Sequence, residues 1–197
     1  MDSQLSSTSE VNVLTSERSN VKFEAVREFD LKRMRHYLNG TQTVLHCHHY
    51  ASLFTQLACD AKHLNGPALL SEAAAETLYP ILKDYYINNH IMEFSDRISI
   101  AEQYFAFIGL GNIRFEFAPE RGTAILRHSH IDEGWLKKWG ANTERVNFIG
   151  EGFIRAASVA IFDLRIDAEI TIKETQSIVM GASRSKFEIK WRGHYAG

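Results

Sequence analysis

The residue order predicts an α+β domain, an antiparallel sheet of about four strands covered by helices. Three observations predict it. Between about residues 46 and 108 apolar residues recur at spacings of three and four, the period of helices with one buried face. After Gly111 the period changes to two, as in strands with one wet face, and a further helical stretch separates that region from a second alternating pair near the C-terminus. Hydrophobic residues at 45% and charged residues at 23% belong to an ordinary globular chain of 197 residues, long enough for one core.

Residues 1–20, "MDSQLSSTSEVNVLTSERSN", are polar and are expected to form a loose tail, with a single domain over 21–197. "DLKRMRHYLNG" reads as a short helix capped by Asp30, with Leu31, Met34, Tyr37 and Leu38 on one side, while a type I′ hairpin at Asn39-Gly40 is the competing reading. From about His46 to His63, Tyr50, Leu53, Phe54, Leu57, Ala58 and Ala61 define a helix facing a core. A second helix runs from Pro67 to about Tyr86, kinked or divided at Pro80. A third, capped by Ser95 or Asp96, carries Ile98, Ala101, Tyr104, Phe105 and Ile108 and ends at Gly109 and Gly111.

"NIRFEFAPERGTAILRHSH" is a hairpin turning at "PERG". "TERVNFIGEGFIRAASVAIF" is a helix whose stripe of Gly152, Ala156 and Ala160 admits another element closely. "DAEITIKETQSIVMGASRSKFEIKW" supplies two more strands joined near "MGAS".

Charge and hydropathy restrict the function. A formal net charge of −2 carries no electrostatic footprint for nucleic acid, so none is expected as a partner. No run of about 18 uncharged apolar residues and no signal-peptide pattern is present, so a cytoplasmic protein without a membrane partner is expected. Cys47 and Cys59 are read as free thiols.

The most unusual stretch is "HCHHY", residues 46–50. On a helix His46 and His49 share a face, and His128 and His130, two apart on one strand, would share another. Together His46, His49, His128 and His130 form a candidate transition-metal set, imidazole being suited to zinc, iron or copper. Alternatively Cys47, in the first turn of a helix, is a candidate catalytic nucleophile with His49 as its base, because a helix N-terminus and a neighbouring imidazole both favour the thiolate. Each has a plainer reading: hydrogen-bonded histidines at a helix start, and a small buried thiol.

The motifs "GLGNIRFEF", "GEGFIRAASVAIF" and "IKETQSIVMGASRSKFEI", in this order, resemble the 4-vinyl reductase-type domain, a hydrocarbon-binding module related in fold to Bet3-like subunits of vesicle-tethering complexes. The resemblance covers about residues 45 to 192. It implies a pocket for a small hydrophobic or aromatic molecule, in a sensor, carrier or pathway accessory. His46, His48 and Tyr50 would form the pocket's polar rim, and Phe105, Phe115, Phe153 and Glu151 would complete the ligand-binding set. It also implies a structural zinc held by a glutamate and cysteines. Glu174 and Gly181 match, but the cysteine positions carry Ser177 and Ser185, so that zinc is expected to be absent and any metal to sit at the histidines. The fold relationship further implies a homodimer through an apolar helix face. An enzyme using Cys47 or the histidine metal on an organic substrate is the alternative function.

Overall fold

The computed structural model describes residues 13–44 and 47–191, without the side chain of His48. The chain opens with a single 3-10 turn, Ser16–Arg18, and then a three-stranded meander of β1 (Arg27–Asp30), β2 (Arg35–Leu38) and β3 (Thr41–Thr43). The expected helix over residues 30–38 is therefore overturned in favour of the hairpin reading. Asn39 and Gly40 have φ of 47° and 79°, the left-handed pair that a two-residue type I′ loop needs. Asp30 caps a turn instead of a helix, its Oδ1 accepting from the backbone N–H groups of Lys32 and Arg33. Leu31 and Met34, expected on a buried face, are 78% and 72% exposed at that turn.

Helix α1 (His48–Asp60) forms where expected, and Ala58 is buried as expected, but the larger apolar residues of the expected face are not. Ala51, Ser52, Thr55 and Ala58 point inward, against α2 (Gly66–Asn88) and α4 (His130–Trp139), while Tyr50, Leu53, Phe54 and Leu57 are exposed. Small side chains allow the closer helix contact, and that geometry outweighs the larger apolar residues. Helix α2 continues through Pro80 without dividing. Helix α3 (Phe94–Phe107) leads into the main sheet.

That sheet is formed by β4 (Gly111–Ala118), β5 (Arg121–Ser129), β6 (Ile170–Gln176) and β7 (Ser185–Trp191), antiparallel throughout in the order β4-β5-β7-β6. This is the expected four-stranded antiparallel sheet with its helical cover. Phe115, Phe117, Leu126, Phe187 and Ile189 alternate onto its buried face, as the period of two requires. α5 (Phe148–Ile161) lies between sheet and α2, with Gly152, Ala156 and Ala160 buried as the small-residue stripe predicts.

One helix was not anticipated. The strand expected to carry both His128 and His130 stops at Ser129, whose Oγ accepts from the Asp132 N–H at 3.2 Å and caps α4. The Ser-x-x-Asp spacing of Ser129 and Asp132 is the sequence signal for that start.

The described N-terminal segment is stitched along α3. Leu14 bridges to Phe117, Ser16 Oγ donates to Glu102 Oε2 at 2.7 Å, and the Phe23 N–H donates to Gln103 Oε1 at 2.9 Å. Glu102, buried, also accepts from the Phe115 N–H and pairs with Arg114.

Candidate functional site

His46 lies outside the described residues, as does the side chain of His48. Cys47 is exposed at the N-cap position of α1, its Sγ 3.5 Å from His49 Nδ1. Tyr50 is 56% exposed beside Phe54. His128 ends up exposed on β5, 3.3 Å from Glu133, whereas His130 begins α4. The common strand face expected for these two histidines does not exist, because the chain turns into a helix between them. Among the described residues no three His, Cys, Asp or Glu side chains converge as metal ligands.

The expected aromatic wall is also placed differently. Phe105, Phe115 and Phe153 are at most 1% exposed, with Phe105 and Phe153 packed edge to face at 4.8 Å, and they belong to the core between helices and sheet. Glu151 is half-buried in the first turn of α5. Burial raises its carboxyl pKa, with Arg145 and Arg155 acting in the opposite direction.

Two other features, one missed by sequence reasoning and one only half seen, carry more chemistry. The first is a cleft of about 710 Å³ between the meander and α2. Phe23, Val26 and Leu38 line one side, Ile81, Leu82 and Tyr85 the other, and Tyr104 of α3 lines it as well. Phe23 lies 4.9 Å from the Tyr85 ring and 5.4 Å from that of Tyr104. The two phenols differ in their hydrogen bonds. Tyr85 Oη accepts from the Glu24 N–H at 2.8 Å, whereas Tyr104, only 5% exposed, makes ring contacts and no hydrogen bond among the described residues. Burial pushes the Tyr104 pKa up to about 12, so its hydroxyl stays protonated and can both donate and accept. The sequence signal for the cleft was Asn39-Gly40, since only the hairpin reading builds the wall opposite α2.

The second is a buried polar cluster where the starts of α4 and α5 meet the connection from β6 to β7. Asn147 caps α5, accepting from the Gly150 N–H, and its amide donates to Ser129 Oγ and Asp132 Oδ2, both at 2.9 Å. Ser185 Oγ donates to Asp132 Oδ2 at 3.2 Å and accepts from the Ile178 N–H. Glu174 and Ser177 complete it, and Asp132 Oδ1, Glu174 Oε1 and Ser177 Oγ are buried without a hydrogen-bond partner. Desolvation raises both carboxyls. Glu174 reaches about 7, first from burial and then from the charge of Asp132, while the Ser177 and Ser185 hydroxyls and Arg145 act in the opposite direction.

No protein-family model matches the chain, and no curated protein matches it by sequence. Solved structures do match. The phenol-responsive sensory domain of the transcription activator PoxR, determined with phenol, superposes with a TM-score of 0.64 at 12% identity, covering 83% of this chain and 84% of that one. The chain shares the fold of that sensory domain. A trafficking protein particle complex subunit 3 from Naegleria fowleri, covalently bound to palmitic acid, matches with a TM-score of 0.45 at 7% identity, over 75% of this chain and 98% of that one.

The zinc implied by the 4-vinyl reductase-type motif can be tested against the buried cluster. The fold does bring Glu174, Ser177 and Ser185 together, with Asp132 beside them. Two hydroxyls stand where thiolates would be wanted, and Ser185 Oγ is already held by Asp132 and the Ile178 N–H. These residues do not fit a zinc centre. Their evident work is structural, joining the starts of two helices to the end of the sheet.

Proposed function

We propose that the domain binds a small organic molecule with a mainly apolar body in the cleft between the meander and α2. The observation that carries this reading is Tyr104, a residue 5% exposed whose hydroxyl has no hydrogen-bond partner among the described residues, in a cleft that Phe23, Val26, Leu38, Ile81 and Leu82 also line. Such a site combines apolar contact area with polar groups, the usual composition of a ligand pocket. The fold shared with a phenol-responsive domain supports the same reading. On this reading the site lies on the meander side and not at the expected Phe105, Phe115 and Phe153 wall. The enzyme reading would rest on the contact between Cys47 and His49.

Titration of the full chain with 2-naphthol should give saturable heat. Tyr104→Phe should weaken that binding about five- to ten-fold, the loss of one hydrogen bond, and Ile81→Trp, which fills the cleft, should abolish it. Unchanged affinity in both variants would place the site elsewhere.

A further inference from the structure

The charged residues lining the cleft are Glu24, Glu28 and Asp84, and no lysine, arginine or histidine lines it. None of the three carboxylates is in an ion pair among the described residues. Two of the neighbouring basic side chains are turned to other partners. Lys83 lies 3.5 Å from Asp163 and 3.0 Å from the Tyr79 hydroxyl, and the Arg27 guanidinium stacks over Phe107 at 5.1 Å. A cleft with an acidic mouth and low-dielectric walls concentrates positive charge.

The rings of Phe23, Tyr85 and Tyr104 line the same cleft, and aromatic rings attract an ammonium group by their quadrupole. The Tyr104 oxygen, otherwise unpartnered among the described residues, can accept from an N–H. The Asn39 amide is partly engaged, its Oδ1 accepting from the Val26 N–H and one Nδ2 hydrogen going to the Glu24 carbonyl. One hydrogen of Asn89 Nδ2 likewise goes to the Tyr85 carbonyl.

We propose that the cleft selects organic cations, an amine or quaternary ammonium group carried on an apolar or aromatic body. This rests on the cleft being the binding site, and adds the charge of its ligand. An anionic molecule of the same shape would meet three carboxylates and no compensating cation. A neutral one would gain the apolar walls alone.

Three probes of one shape separate the two claims: 2-naphthylmethylammonium, 2-naphthalenemethanol and 2-naphthoate, titrated calorimetrically into the full chain. The cation should bind about ten-fold or more tighter than the neutral alcohol, and the anion weakest. Raising sodium chloride to about 0.5 M should shrink the cation's advantage, because added salt shortens the range of the carboxylate field. Glu28 and Asp84 are exposed, so the double variant Glu28→Gln with Asp84→Asn should keep the fold. It should weaken the cation about ten-fold and leave the alcohol unchanged. If the alcohol binds as well as the cation, or the double variant binds both as before, the charge selection is wrong and the cleft reading stands. If none of the three binds, both fall.

Discussion

Gly152→Val should lower the unfolding free energy by about 3 kcal/mol, seen as a fall in the urea midpoint with little change in slope. The cause is the contact between α2 and α5. A Cβ at position 152 would collide with the Ser71 carbonyl oxygen and lie 2.7 Å from the Ala74 Cβ. A flexible side chain could move aside, but the colliding atom is backbone in the middle of a helix. Separating the helices would also loosen Phe153, Ile154 and Ala157, which line the core beside Gly152. Met92→Ala, at a position 73% exposed, should by contrast shift the midpoint by less than about 0.5 kcal/mol. A Gly152 variant as stable as the parent would show that α5 does not lie against α2 as described.

The second large effect is one of pH. Glu174 keeps its proton in the folded state up to about 7, against an ordinary value of 4.5. An unfolded chain releases that proton earlier, so rising pH favours unfolding. Stability should be highest below about pH 4.5 as far as this group is concerned, fall as pH rises through about 7, and reach its full deficit above that. Glu174→Gln removes the ionisation and should stabilise the domain by about 2 kcal/mol at pH 8, with little effect at pH 4.5. Urea midpoints of parent and variant at the two pH values measure it. Parallel pH profiles would mean that Glu174 is not buried beside Asp132.

Much of the architecture was legible because it follows from local periods. The alternation of Phe115, Phe117, Phe187 and Ile189 is a property of strands, and the spacing of Gly152, Ala156 and Ala160 is a property of one helix. What failed depended on competition between elements. On α1, Leu53, Phe54 and Leu57 are the larger apolar side chains, yet Ala51, Ser52 and Thr55, together with the expected Ala58, are the ones that let α2 and α4 come close. Around Asp30, the residue that caps a helix also caps a turn, and only the pairing of β1 with β2 decides between them. At Ser129 the strand period runs unbroken into His130, and the cap that Ser129 makes to the Asp132 N–H outweighs it.

The candidate site was less legible for a related reason. Tyr104 reads as one more core aromatic on a helical stripe, and nothing in its neighbourhood shows that its hydroxyl lacks a partner. The cleft appears only when the meander, far away in the chain, is laid over α2. The polar cluster was half visible, since Glu174, Ser177 and Ser185 stood out as a motif. Asp132 did not, because it joins Ser185 across 53 positions.

The stitches between the N-terminal segment and α3 have a consequence for the order of assembly. Gln103 holds both the Phe23 N–H and the Val21 carbonyl at separations of 80 and 82 residues, and Ser16 reaches Glu102 across 86. Such closures carry an entropy cost before their contacts form, so the segment is expected to dock onto an α3 that is already in place. Its strands are short and mostly exposed, which puts them among the first to open by local fluctuation. The amides of β1 to β3 should therefore exchange with solvent deuterium well before those of β5 and β7. A molecule held between the meander and α2 would slow that exchange, making the late-arriving strands a reporter of occupancy.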